Sequence, residues 1–323
     1  MYYRSDWPEV GLSAAVNERT LERLDASAGS RQDWVHESRA GDTLIRWIGA
    51  KDRFESGLYD FPIWNLHLEL DNAGGDILHA ACCGLLKETI NEEIKRFVDA
   101  PPWGPSYVFS RMLRTEPLHE ALLENGFKEI ENRRLYKTQI RNLAPGASSS
   151  LDSNLHFMSL AETDSERRAH FRRQIFEICD ERFGREGYSR HFTDPFLLGR
   201  LTGHAYIKAA MRLNFERLSP DCFLLAVDNE SLRVCGFSVV GKKQGPTPNL
   251  YTQLLSAVRG ECQGRDIYSS FTRLLMRMLS PDATLLNITH AANHGMQIAY
   301  QRSGRVHLAD TVVARRVFGA GEQ

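Results

Sequence analysis

Long apolar runs are missing from this sequence. No stretch approaches the roughly 20 residues a helix needs to cross a bilayer, so no membrane span is expected. Residues 1–10 carry charge early and no apolar segment, which leads us to expect no secretory signal. An excess of charge of one sign is also missing. With 40 basic and 41 acidic residues, the net charge is −1, which provides no field for holding nucleic acid or an anionic membrane. Cysteines are few: there are six, Cys82 and Cys83 are adjacent, and no pair has C-x-x-C spacing. Neither a zinc site nor a disulfide framework is therefore expected. There is no H-E-x-x-H or related metal spacing, and no serine or cysteine nucleophile with evident partners. These absences lead us to expect a reduced, cytoplasmic protein with buried, inert thiols and no metal.

What remains is a globular composition, 42% hydrophobic and 25% charged over 323 residues, a length that suits two domains. Between Leu143 and Leu151 the chain reads Leu-Ala-Pro-Gly-Ala-Ser-Ser-Ser-Leu. Such a small, Pro/Gly/Ser-rich stretch cannot bury a core, so residues 145–150 are expected to link domains at 1–144 and 151–323.

Hydrophobic periodicity fills in the elements on either side. In the first half, strands are expected at Thr43–Ile48, Ile63–Leu70, Tyr107–Leu113 and Lys128–Ile140, with helices at Leu85–Val98 and Leu118–Glu124. In the second half, a strand at Leu155–Leu160 precedes a helix over Ser165–Phe183, where Phe171, Ile175 and Ile178 have helical spacing. The arginines around them, Arg167, Arg168, Arg172 and Arg173, read as a solvated face rather than an anion site. A helix follows near Phe196–Leu218, then strands at Cys222–Val227, Val234–Val240 and Leu250–Val258. The remainder alternates helix Ile267–Leu279, strand Thr284–Thr289, helix His294–Ser303 and strand Thr311–Phe318. The pattern describes a mixed α/β sandwich, and the similar order in the two halves points to an internal duplication.

The chemistry concentrates in two segments. From Leu254 to Tyr268, a strand end runs into a short loop with Gly260 and Gly264 and then at once into a helix. That turn aims unpaired backbone N–H groups and the positive end of a helix dipole at one point, a site suited to a pyrophosphate. The second segment, Asn293-His-Gly-Met-Gln-Ile-Ala-Tyr-Gln-Arg-Ser-Gly304, has the spacing N-x6-Y-x3-G after a strand.

Together these segments resemble the GNAT (Gcn5-related N-acetyltransferase) superfamily. Asn293, Tyr300 and Gly304 fall on the asparagine, tyrosine and glycine of its N-x-x-A-x-x-L-Y-x-x-x-G-F segment, with Arg305 in place of phenylalanine. Val258, Gln263 and Gly264 fall on the valine, Arg/Gln and first glycine of its V-x-P-x-x-R/Q-G-x-G-x-G/A signature. Asp266 stands where the second glycine belongs, and Tyr268 where Gly or Ala is usual. The segment Ser189-Arg-His-Phe-Thr-Asp-Pro195, followed by Tyr206, is similar to tandem GNAT proteins of the dTDP-fucosamine acetyltransferase kind. Their first domain is degenerate, and no R/Q-x-x-G-x-G/A loop occurs here before Pro145.

The resemblance implies tandem GNAT-like domains, the second catalytic, with acetyl-CoA or another acyl-CoA as co-substrate and no metal. It implies direct acyl transfer to a primary amine, on a nucleotide-linked amino sugar by the tandem comparison. An amino acid or natural-product amine, a carrier-protein donor, and a non-catalytic binding module stay open as alternatives, and so does a homodimer. Backbone groups of Ala257 and Val258 would meet the pantetheine and carbonyl, and those of Gln263, Gly264, Arg265, Asp266, Ile267 and Tyr268 the pyrophosphate. Tyr300 would be the general acid, because a phenol stays protonated at neutral pH yet can donate to a thiolate. Asn293 would bond the pantetheine arm or cap its helix. The general base stays open, with His290 and Glu261 nearby and water as an alternative.

Overall fold

The computed structural model describes residues 2–4, 34–72, 84–114, 117–144, 154–183, 189–243 and 247–319. The expected linker at 145–150 and the Cys82–Cys83 pair lie outside the described residues. The chain divides into two compact units. One holds residues 1–134, 244–247 and 309–323, and the other residues 135–243 and 248–308. This division differs from one drawn at 144 and 151: residues 135–144 belong to the second unit, and residues 309–318 of the C-terminal strand belong to the first.

The first unit is built on a mixed sheet. Strands β2 (Trp34–Ala40) and β3 (Thr43–Lys51) form a hairpin whose two-residue turn holds Gly41 at φ +59°. That backbone region suits a residue without Cβ. Helix α1 (Arg53–Tyr59) follows, capped by Asp52 accepting from the Glu55 amide at 2.8 Å. It leads into β4 (Ile63–Asn72), antiparallel to β3 and to β1 (Tyr2–Arg4). Helix α2 (Gly84–Asp99) carries the chain to β5 (Ser106–Leu113), which lies parallel to β4. Helix α3 (Pro117–Glu124) and strand β6 (Lys128–Gln139) come next. Residues 309–318 of β12 (Val306–Phe318) complete the sheet, antiparallel to β5, with Thr311 opposite Leu113 and Phe318 opposite Ser106. Leu66, Leu68 and Leu70 alternate inward from β4 to meet Ile90 and Ile94 of α2, as the period of two and the helical spacing require.

In the second unit, β7 (Leu155–Ser159), β8 (Phe223–Asp228), β9 (Val234–Lys242) and β10 (Leu250–Val258) run antiparallel in that order. Strand β11 (Thr284–His290) lies parallel to β10. Helices α4 (Ser165–Phe183) and α5 (Gly203–Arg217) share a core with Phe223, Leu225 and Phe237, while α6 (Ile267–Met278) shares one with Leu224, Ala226 and Leu285. Successive residues of β8 thus enter two different cores, so β8 and β9 read as continuous apolar runs rather than alternating ones. The helix expected near 196–218 is two elements, a single turn at Pro195–Leu198 and then α5, separated at Gly199–Thr202. Helix α7 (His294–Arg302) follows β11. No helix among the described residues is long and apolar enough to cross a membrane.

Candidate functional site

Two adjacent parallel strands of the second unit part company. β10 and β11 pair through Leu250/Thr284, Tyr251/Leu285 and Thr252/Leu286, and the ladder ends there although both strands continue. On its other edge β10 stays paired with β9 as far as Val258, with an irregularity between Gln253 and Leu255. From Gln253 onward, the backbone edge of β10 that faces β11 therefore has no strand partner among the described residues. An open edge of this kind offers alternating N–H and C=O groups to an extended ligand. Ala257 and Val258 lie on this segment, opposite Phe237 and Gly236 of β9. Gly236 permits the close fit. A β-carbon there would lie 3.1 Å from the Ala257 carbonyl oxygen and 3.3 Å from Ile267 Cγ2.

Beyond Val258 the loop is pinned from behind. The Arg259 side chain, 5% exposed, donates from Nε to the Val234 carbonyl (2.9 Å) and from Nη2 to Glu177 (2.8 Å), and Nη1 lies 3.6 Å from Glu181. Glu181 also accepts from the Gly260 amide at 2.6 Å. Gly264 follows at φ +83°, and a β-carbon on it would meet nothing within 4 Å. Asp266 sits at φ +49° immediately before α6 and makes no side-chain cap. The amides of Ile267, Tyr268 and Ser269 thus begin the helix with neither an intrahelical acceptor nor a side-chain cap. The Asp266 carboxylate points elsewhere than to these amides. Its Oδ2 is buried without a hydrogen bond, 3.8 Å from the Arg273 guanidinium.

Tyr300, on α7, is 3% exposed. Its ring packs against Tyr268 of α6 at 5.7 Å and Tyr136 of β6 at 5.0 Å between centroids. Burial and the neighbouring Tyr268 push its phenol well above the ordinary value, while the Arg305 guanidinium pulls it back. The Tyr268 phenol is raised as well, again chiefly by burial, and its hydroxyl donates to Gln253 Oε1 at 2.5 Å. That oxygen also accepts from Asn287 Nδ2 at 2.5 Å, and Asn287 Oδ1 accepts from Arg305 Nε at 2.9 Å. Gln253 and Asn287 are the first residues past the last β10–β11 pair, so this polar network closes the apex of the gap between the strands.

The structure brings most of the expected residues together in one unit: Ala257 and Val258 on the open edge, Gln263 to Tyr268 at the helix entry, and Tyr300 beside Tyr268. Asn293 is the N-cap of α7, its Oδ1 accepting from the Met296 amide at 3.2 Å, so the capping alternative describes its side chain. Gly304 (φ +78°) ends the helix, and a β-carbon there would lie 3.0 Å from the Ala144 nitrogen and the Asn142 oxygen. His290 Nδ1 accepts from the Ala292 amide at 3.1 Å, and Glu261 pairs with Arg233 at 2.5 Å. Arg265 Nη2 lies 3.7 Å from Asp228. Gln253, Asn287 and the buried Arg305 were not expected at the site. The only signal for them in the sequence was Arg305 standing in the phenylalanine position.

No family model and no curated protein matches this chain. Among solved structures, it is similar to a GCN5-related N-acetyltransferase from Sphaerobacter thermophilus, with 13% identity, a TM-score of 0.52 and coverage of 98% of this chain and 95% of that one. A tandem GNAT protein from the clavulanic acid biosynthesis pathway is 13% identical over the whole of both chains, with a TM-score of 0.48. A GCN5-related N-acetyltransferase from Kribbella flavida is 8% identical, covering 93% and 96%, with a TM-score of 0.45. By the first of these matches, the chain has the fold of a GCN5-related N-acetyltransferase.

Proposed function

We propose that the second unit is an N-acyltransferase that moves an acetyl or other short acyl group from an acyl-CoA to a primary amine. The observation that carries this reading is the combination of the open β10 edge with the uncapped entry of α6. The open edge suits the extended pantetheine arm, with Ala257 and Val258 meeting it. The amides of Gly264 to Tyr268, beside an open Gly264, suit the pyrophosphate, because helix-start amides and dipole both favour an anion. Before Pro145 the R/Q-x-x-G-x-G/A motif does not occur, so we assign binding to the second unit.

An acyl-CoA supplies a thioester carbonyl, and the chain's own groups do the rest. As the amine nitrogen bonds to that carbon and the C–S bond breaks, sulfur takes the bonding pair and the Tyr300 hydroxyl supplies its proton. The proton lost by the amine passes to water. A phenol held protonated by its surroundings is in the right state to donate. The acceptor we favour is an amine on a nucleotide-linked amino sugar, a reading that rests on the Ser189–Pro195 resemblance. Calorimetry with acetyl-CoA, followed by turnover assays on amino-sugar nucleotides and free amino acids, tests both levels. Absence of acyl-CoA binding would refute the acyltransferase reading and leave a binding module. Turnover of amino acids only would refute the sugar.

A further inference from the structure

Arg305 is a buried cation with no anion beside it. It is 4% exposed and forms no ion pair among the described residues. Its hydrogen bonds go to neutral oxygens, namely Asn287 Oδ1 at 2.9 Å, Thr272 Oγ1 at 3.2 Å and Ser303 Oγ. Its guanidinium lies 5.4 Å from the Tyr268 ring centroid and 5.3 Å from that of Tyr300. Burying a charge without a counter-charge is costly, so a fold that keeps one there has placed an uncompensated positive potential on two phenols. Among the described residues, the other titratable groups around Tyr300 are Tyr268 on α6 and Tyr136 on β6, the latter with the His307 ring of β12 at 5.5 Å. None of these is a carboxylate.

We infer that Arg305 is a positioning residue that makes Tyr300 competent as an acid: its guanidinium compensates the negative charge left on the phenol oxygen once the proton has gone to sulfur. The inference rests on the acyltransferase reading. Burial leaves this phenol a weaker acid than usual even with the guanidinium present; without that charge it would be weaker still, and proton donation to sulfur further uphill. At this separation and an effective dielectric of about 20, one charge changes an ionisation equilibrium on the order of a hundredfold. The rate should change by about tenfold, because the proton is only partly transferred in the transition state.

The full-length protein carrying 3,5-difluorotyrosine at position 300 provides a reading independent of turnover. The fluorine resonance followed against pH reports Tyr300 ionisation, which Arg305→Met should displace upward on the order of a hundredfold and Arg305→Lys much less. In the unlabelled enzyme, Arg305→Met should lower kcat about tenfold with acetyl-CoA affinity unchanged, and Arg305→Lys should recover part of it. In a Tyr300→Phe background Arg305→Met should have no further effect on kcat. Should the Met variant not fold, Arg305→Gln, which keeps donors for Asn287, carries the same comparisons. Unchanged Tyr300 ionisation in the uncharged variant, or an undiminished loss in the Tyr300→Phe background, overturns the inference. An enzyme with no turnover but a displaced Tyr300 ionisation would refute the acyltransferase reading while upholding the electrostatic one.

Discussion

Replacing Gly264 by alanine separates the cost of a backbone conformation from the cost of filling a binding site. The residue stands at φ +83° with open space where a β-carbon would go, so no clash contributes. A left-handed conformation costs a residue with a side chain about 1–2 kcal/mol. About 0.4–1 kcal/mol of that is returned by the smaller conformational freedom of the unfolded chain. The net loss of about 1 kcal/mol lowers Tm by about 2–4 °C in a unit of this size. Binding should suffer more. On the proposed reading the pyrophosphate lies at this turn, so the added methyl group would crowd it, and an anion pushed away from the amides of Ile267, Tyr268 and Ser269 loses charge-assisted hydrogen bonds of about 1.5–3 kcal/mol each. Even one such loss weakens CoA about ten- to hundredfold. Calorimetry with CoA, paired with acetyl-pantetheine, which lacks the pyrophosphate, reads the two effects apart. CoA affinity should fall and acetyl-pantetheine affinity should hold. A folded Gly264→Ala variant that binds CoA as tightly as the parent would show that the pyrophosphate does not lie at this turn.

Gly236→Ala should do the reverse, because its β-carbon would press on the Ala257 carbonyl oxygen at 3.1 Å within a buried sheet. We expect a stability loss of about 1–3 kcal/mol by chemical denaturation, larger than at Gly264. Tyr300→Phe removes only a hydroxyl from a buried ring. It should lower kcat on the order of 10²–10⁴ with CoA affinity and Tm nearly unchanged, and a variant keeping most of its kcat while chemistry is rate-limiting would make Tyr300 a core residue. Burial pushes the Cys235 thiol up to about 12, with Cys262 hydrogen-bonded beside it. A raised thiol pKa means that the reactive thiolate is scarce below that value, so in the native protein near pH 8 a thiol reagent should leave Cys235 unmodified. Rapid labelling of Cys235 before any loss of fold would contradict the burial.

Much of the fold was legible because burial in this chain follows period. The helix at Ser165–Phe183 was readable from Phe171, Ile175 and Ile178, all buried on one face. Strand β2 was missed because its inward residues, Trp34, His36 and Ser38, do not alternate by hydrophobicity with the outward Val35, Glu37 and Arg39. The start of β12 was placed late because Val306 and Leu308, although apolar, are exposed, and the buried run begins only at Thr311. At the candidate site, the glycine turn and the Tyr300 spacing are local and therefore visible in a one-dimensional reading. The Gln253–Asn287–Arg305 network was not, because its members are far apart in the chain and only the sheet order and the early end of one ladder bring them together.

The return of residues 309–318 to the first unit's sheet also bears on how the protein is made. A ribosome releases β5 long before its partner β12, with the whole second unit translated in between. During that interval the edge of β5 has an open row of hydrogen-bonding groups, the kind of edge that recruits neighbouring chains. Pairing Leu113 with Thr311 then closes a very long loop, a contact that forms late and slowly. The first half to be synthesised is thus the last to be finished, and a fragment beginning near residue 151 would carry a strand without its partner.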